Sequence, residues 1–326
     1  MLIAFTLIII CFTIALIQSW HTKKMRSQQL ELCVPISPRA DLIVSPRTNK
    51  IEIYDGDILD ELARTELHII FGVMSGAGKS TSMKTIIWKI HGYKPTAKFV
   101  IVDPKSTDWL GLQRYPKTVF YISGEPVEQL IELREITLKV FNILDDAIAK
   151  AQRKLERGDI PDKPEFDLYL IVDEWFALYD ALKKLPPKEK SEYKLNDILM
   201  HVNGVIAKGR EYGIHCFLVG QSHLSTETGI STALRRSTAL VGQGRLTSGG
   251  DGGYASIEGI IKDANVFKNP ATKNRLMKQL DQAIALAGDS PIILTTMGNP
   301  RIGIIDDLSH IHSYKIEDYQ VLVTRS

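Results

Sequence analysis

Val73-Met74-Ser75-Gly76-Ala77-Gly78-Lys79-Ser80 follows directly on the apolar run Leu67-His68-Ile69-Ile70-Phe71. A buried strand opening into such a segment, with a helix after it, reads as a phosphate-binding loop. Successive backbone N–H groups converge on phosphate oxygens, and the helix that follows aims its positive end at them. Gly76 and Gly78 let the backbone approach closely, Lys79 reaches the β- and γ-phosphates, and the Ser80 hydroxyl holds Mg²⁺. The candidate nucleotide contacts are therefore Ser75, Gly76, Ala77, Gly78, Lys79, Ser80 and Thr81, with ATP and Mg²⁺ as the implied ligands. The position where the general pattern carries its first glycine is Val73 here, with Gly72 just before it.

Downstream, Tyr169-Leu170-Ile171-Val172 is a second continuous apolar run, closed by Asp173-Glu174. An acidic residue at the tip of such a strand holds Mg²⁺ opposite the loop hydroxyl. A second acid beside it is left to take the proton of an attacking water. Asp173 is accordingly the metal residue and Glu174 the general base. The alternative is that Asp-Glu only caps the next helix.

A third stretch runs from Gly209-Arg210-Glu211-Tyr212-Gly213 through Ile214-His215-Cys216-Phe217-Leu218-Val219-Gly220 to Gln221. An amide at the end of that strand donates and accepts at once, so Gln221 suits sensing a γ-phosphate or orienting a water. Arg210 precedes the strand and lies at the opposite edge of the sheet from the phosphates. It is placed for a neighbouring subunit's site, as an arginine finger in trans, or else for a helix end as a surface cation.

Around these pieces, apolar strands alternate with helical stretches: Lys79–His91, Lys98–Asp103, Thr118–Ile122, Val127–Arg157, a helix from about Leu195 to Tyr212, and Ala239–Val241. A closing hairpin is expected around Gly298-Asn299-Pro300. That order predicts an α/β fold with a mostly parallel sheet covered on both faces. Residues 67–326 form the expected ATPase domain, 21–66 a linker with peripheral strands, and Ser248–Gly253 a glycine-rich loop.

The 326 residues carry a net charge of +2, so no global basic field draws the chain to nucleic acid. Cys11, Cys33 and Cys216 are far apart and match no metal-ligand spacing. No charged residue occurs from Leu2 to Ile17, and Lys23, Lys24 and Arg26 follow. An apolar stretch near the roughly 20 residues a spanning helix needs, with positive residues after it, predicts a single transmembrane anchor over 1–20. The rest of the chain is then on the cytoplasmic side of the inner membrane. The alternative is a buried N-terminal helix.

Taken in order, Gly-Ala-Gly-Lys-Ser, Val102-Asp103-Pro104-Lys105, Val172-Asp173-Glu174, and Arg210-Glu-Tyr-Gly-Ile-His leading to Gln221 resemble the FtsK–HerA superfamily of DNA pumps, and most closely its FtsK-type motor domain. The resemblance covers about Leu67 to Val241. It implies a RecA-like core, a hexameric ring with ATP at subunit boundaries, and duplex DNA in the central channel. Carried over by position, it gives Lys79 and Ser80 to phosphate and metal, Asp173 and Glu174 to the roles above, Gln221 to phosphate sensing and Arg210 to the trans finger. This chain departs from the family at Val73 and at Ser222-His223, where Arg-Pro is common after the glutamine. The expected single span replaces a four-helix membrane region. The sequence to Ser326 also has no room for the winged-helix module that reads orienting sequences, so directed chromosome segregation is not expected.

The expected function is a membrane-anchored, ATP-hydrolysing motor that moves DNA, in the manner of a conjugative coupling ATPase. The alternatives are a genome-packaging or phage-assembly ATPase, a protein-secretion ATPase, and a nucleotide-dependent scaffold. Lys183, Lys184, Lys188, Lys190 and Lys194, on a proline-broken loop, are candidate phosphate-backbone contacts or else a solvated face. The glycine-rich loop at 249–253 is a second candidate.

Overall fold

The computed structural model describes residues 53–105, 109, 119–162, 164–246 and 253–306. The expected anchor over 1–20, most of the linker after it and nearly all of the glycine-rich loop lie outside that set. Among the described residues, no helix is long and apolar enough to cross a membrane.

In chain order the elements are α1 (Ile58–Arg64), β1 (His68–Val73), α2 (Lys79–Tyr93), β2 (Lys98–Asp103), β3 (Val119–Tyr121), α3 (Pro126–Glu156), β4 (Leu168–Val172), α4 (Trp175–Lys184), α5 (Pro187–Glu192) and α6 (Asp197–Lys208). They continue through a 3₁₀ turn (Gly209–Tyr212), β5 (Ile214–Gly220), α7 (Ser225–Thr228), α8 (Thr232–Arg235), β6 (Thr238–Gly244), α9 (Ala255–Lys262), α10 (Pro270–Ala287), β7 (Ile292–Thr295) and β8 (Arg301–Ile304).

One eight-stranded sheet carries them in the order β3-β2-β4-β5-β1-β6-β7-β8. The first six strands are parallel, and β7 and β8 run antiparallel as the expected hairpin. Every residue of β1, β4, β5 and β6 is buried. Such strands read as unbroken apolar runs because helices cover both faces of the sheet.

One core packs Leu130, Leu133 and Val140 of α3 and Val202 and Val205 of α6 against Leu170, Val172 and Leu218 of the sheet. The other packs Ile257 and Ile260 of α9 and Leu276 and Leu280 of α10 against Ile292, Leu294 and Ile302. Each such side chain contributes about 1.5–3 kcal/mol through burial. The long helix α3 begins at Pro126, where a missing N–H costs nothing, and a reciprocal Glu125–Glu128 capping box closes its first turn.

Two local features differ from the sequence reading. The lysine-rich stretch holds a short helix, Pro187–Glu192, where a proline-broken loop was expected. Pro187 stands at its first position, the one place in a helix that tolerates proline. Within the segment expected to be linker and peripheral strands, Ile58–Arg64 forms a helix whose Ile58 and Leu62 are fully buried, and Tyr54 makes a single bridge to Gly303.

Candidate functional site: a phosphate loop facing two acids

The C-terminal ends of β1, β2, β4, β5 and β6 meet at one edge of the sheet, and the candidate phosphate loop is the turn from β1 into α2. Gly76 and Gly78 have φ of +82° and +86°, a conformation costly for any residue with a Cβ. Val73 has no such conformation. It is the last residue of β1, fully buried and paired with Gln243 of β6, so strand geometry rules there and no glycine is needed. The glycine lies one position earlier for a packing reason: a Cβ on Gly72 would come within 3.2 Å of the Ser222 backbone.

Lys79 is the first residue of α2, and its ammonium lies between two carboxylates. Its Nζ is 2.9 Å from Asp173 Oδ1 and 2.5 Å from Glu174 Oε1. Both acids follow β4, two strands from β1 in the sheet order. Asp173 is fully buried; its Oδ2 accepts a hydrogen bond from Trp109 Nε1 at 3.0 Å, and its Oδ1 accepts one from the Glu174 N–H at 2.9 Å. Lys105, just past β2, donates to the same Glu174 Oε1 at 2.6 Å. Asp103, also fully buried, accepts from the Lys105 N–H at 3.0 Å and the Trp109 N–H at 3.3 Å.

Burial raises the Glu174 carboxyl pKa, but hydrogen bonds and charge from Lys105 and Lys79 outweigh it and hold the group below the ordinary carboxylate range. Glu174 is ionised at neutral pH. Its backbone has φ of +49°, one of two non-glycine residues in the left-handed region among those described. Such a conformation costs of order 1 kcal/mol and persists only where surrounding structure enforces it.

Gln221, just after β5, donates from Nε2 to Ser75 Oγ at 3.3 Å, which brings it to the loop. Arg210 lies on the exposed side of the 3₁₀ turn before β5. The seven residues of β5 separate it from Gln221 by about 20 Å of strand. Arg210 therefore sits at the far edge of the sheet from the phosphate loop of its own chain. Its charge there, after burial and the neighbouring His215, helps push the buried His68 imidazole down to about 3.

The structure thus gathers Ser75–Thr81, Asp173, Glu174 and Gln221 at one edge and leaves Arg210 at the other. Sequence reasoning passed over Trp109 and gave Lys105 no role. The Asp-Pro-Lys run carried the signal for Lys105, because a lysine two residues beyond a strand tip faces the same edge as the tips beside it. The lysine-rich stretch has Lys183, Lys184, Lys188 and Lys194 exposed. Lys184 pairs with Asp180 at 2.6 Å, and Lys183 reaches the Thr226 carbonyl at 3.3 Å.

The donor set suits a hard divalent cation bound with a nucleotide. A hydroxyl on Ser80 and a carboxylate on Asp173 are oxygen ligands of the kind Mg²⁺ takes alongside phosphate. Lys79, now neutralised by two acids, is the cation a phosphate would claim.

No protein-family model and no curated protein matches the sequence. Among solved structures, the pCW3 conjugation coupling protein TcpA, in a monomer form with ATPγS, aligns at 17% identity with a TM-score of 0.48, over 78% of this chain and 65% of that one. Thermomonospora curvata EccC (ATPases 2 and 3), in complex with a signal sequence peptide, aligns at 19% identity with a TM-score of 0.38, over 56% and 32%. EssC (ATPases 2 and 3) from Geobacillus thermodenitrificans aligns at 16% identity with a TM-score of 0.47, over 79% and 44%. The chain spans less than two thirds of the length of each.

Fold and site together give a mostly parallel α/β sheet with a glycine-bearing loop, a lysine and two acids gathered at one edge.

Proposed function

We propose that the protein is an FtsK-type motor ATPase that couples ATP hydrolysis to movement of DNA, works as a ring, and is held at the inner membrane by its N-terminal segment. The observation that carries the hydrolytic part is the contact of Lys79 with both Asp173 and Glu174 beside the phosphate loop. The motifs from Leu67 to Val241 support the motor part.

Within this reading, the N–H groups of Ser75–Thr81 and the Lys79 ammonium hold the phosphates. Ser80 and Asp173 hold Mg²⁺, which when bound supplies charge neutralisation on the phosphate oxygens. Glu174, released by Lys79, accepts a proton from the attacking water. Gln221 keeps that water and the terminal phosphate in register from across the loop. Arg210 completes the site of the adjacent subunit. The exposed lysines of 183–194 face the DNA backbone and carry no sequence preference.

The test is the steady-state ATPase rate of the purified protein with and without duplex DNA. A several-fold stimulation that weakens as salt rises is expected. Hydrolysis that persists but ignores DNA would remove the DNA part and favour protein as the cargo. Absence of hydrolysis under all conditions would leave a nucleotide-dependent scaffold.

A further inference from the structure

Gln243 is the penultimate residue of β6, and it is fully buried. Its side-chain Nε2 donates to the Ala77 carbonyl in the middle of the phosphate loop at 2.5 Å. Its Oε1 is buried without a hydrogen-bond partner among the described residues. The β1–β6 register pairs Gln243 with Val73, so the side chain starts level with the last residue before the loop. The same Nε2 lies 3.3 Å from where a Cβ on Gly78 would be, and Ser256 Oγ donates to the Gln243 carbonyl at 2.8 Å, tying down its backbone.

From this we infer that Gln243 is a positioning residue for the phosphate loop, acting through Ala77 and not by touching the nucleotide. A phosphate loop binds anions only while its N–H groups turn inward, which obliges intervening carbonyls to turn outward and find donors there. Ala77 is fully buried, so water cannot serve its carbonyl. Gln243 supplies the donor, and the amide can take only one orientation, because flipping it would set oxygen against oxygen. The unpaired Oε1 makes the same point. Met or Leu would fill this place with no buried polar atom left over, so packing alone gives no reason for an amide here. The contact also narrows residue choice at 78, where glycine leaves room for the Gln243 amide.

This inference rests on the reading of the loop as a nucleotide site, and Lys79→Ala separates the two. The full-length protein and its Gln243→Met, Gln243→Asn and Lys79→Ala variants would be titrated with a fluorescent ATP analogue and Mg²⁺ at a temperature where circular dichroism shows each folded. Methionine keeps length and volume but removes the donor; asparagine keeps the amide but stops one methylene short. Both are expected to bind the analogue about tenfold more weakly, to raise KM by more than they lower kcat, and to show a smaller nucleotide-induced rise in Tm. Should Gln243→Met fail to fold, Gln243→Asn carries the test. Parent-like affinity in a folded Gln243 variant, with Tm alone lowered, overturns the inference and leaves the residue a packing element. Parent-like affinity in Lys79→Ala overturns instead the reading of the loop on which it rests.

Discussion

Glu174→Gln should make the site bind nucleotide more tightly, as well as stopping hydrolysis. Lys79 is held by Glu174 at 2.5 Å and Asp173 at 2.9 Å, with the Lys79 and Glu174 side chains only 11% and 8% exposed. Any phosphate that takes Lys79 must first displace these carboxylates. A hydrogen bond involving charged groups contributes about 1.5–3 kcal/mol net, and a neutral one about 0.5–1.5. Glutamine keeps the shape and an acceptor oxygen but loses the charge, so the grip on Lys79 weakens by about 1.4 kcal/mol, or tenfold in affinity. Using ADP as the titrant isolates this effect, because it omits the terminal phosphate and any repulsion between that group and Glu174. Isothermal titration of parent and variant with Mg-ADP should give a Kd about tenfold lower for the variant. The difference should survive raised salt, since the groups are buried and poorly screened. An unchanged or weaker ADP affinity would show that the Lys79–Glu174 contact does not oppose binding. ATP turnover near the parent rate in the same variant would remove Glu174 from the role of base.

Arg210→Ala should bind ATP normally yet turn it over about 10³–10⁵-fold more slowly, the range seen for arginine fingers. Mixing it with Lys79→Ala subunits should restore part of the activity, and mixed rings without recovery would confine Arg210 to its own chain. Acid should destabilise the fold before any carboxylate is protonated. The His68 pKa is lowered from 6.5 to about 3, by burial first and then by His215 and Arg210, so the unfolded chain binds the extra proton between those values. Stability from this group is complete above about pH 6.5 and is lost as pH falls toward 3. Between pH 7.5 and 5 the loss is about 2 kcal/mol, and His215, also lowered by burial despite the Asp167 hydrogen bond, adds in the same direction. Urea unfolding free energies that stay flat across that window would contradict the buried neutral state of these histidines.

The parts of this fold legible in the sequence are those where one physical demand dominates several adjacent residues. Buried parallel strands must be apolar on both faces, so Ile69–Phe71, Tyr169–Val172 and Cys216–Val219 announce themselves, and strand tips followed by Gly-x-Gly-Lys-Ser or Asp-Glu place the site. Sequence reading failed where a residue's partner is far along the chain. The strand seen as Ala239–Val241 continues to Gly244, with every residue from Thr238 buried. Its end was hidden because Gly242-Gln243-Gly244 reads as a turn. The glycines are there for close packing: a Cβ on Gly242 would meet Ile260 Cδ1 at 2.9 Å, and one on Gly244 would meet the Gly253 carbonyl at 2.4 Å. With the strand cut short, Gln243 had no visible reason to face the phosphate loop. Trp109 was hidden in the same way, since its indole N–H meets Asp173 at a separation of 64 residues.

The charges at the site add a last step. Two acids and two lysines meet within hydrogen-bond distance at one strand edge, so the candidate base and the candidate phosphate-binding cation occupy one another. On the proposed reading, a nucleotide would take Lys79, which leaves Asp173 for a metal and Glu174 with Lys105. Lys105 donates to the same Glu174 oxygen as Lys79 does, from a strand on the other side of β4 from β1. The base is therefore not freed by nucleotide binding alone. While Lys105 stays on Glu174, the carboxylate remains ionised but holds a weakened pull on any proton, because the charge that lowers its pKa also lowers its basicity. On the proposed reading, the Lys105 side chain, half exposed, is the part of that arrangement within reach of a cargo or a neighbouring subunit.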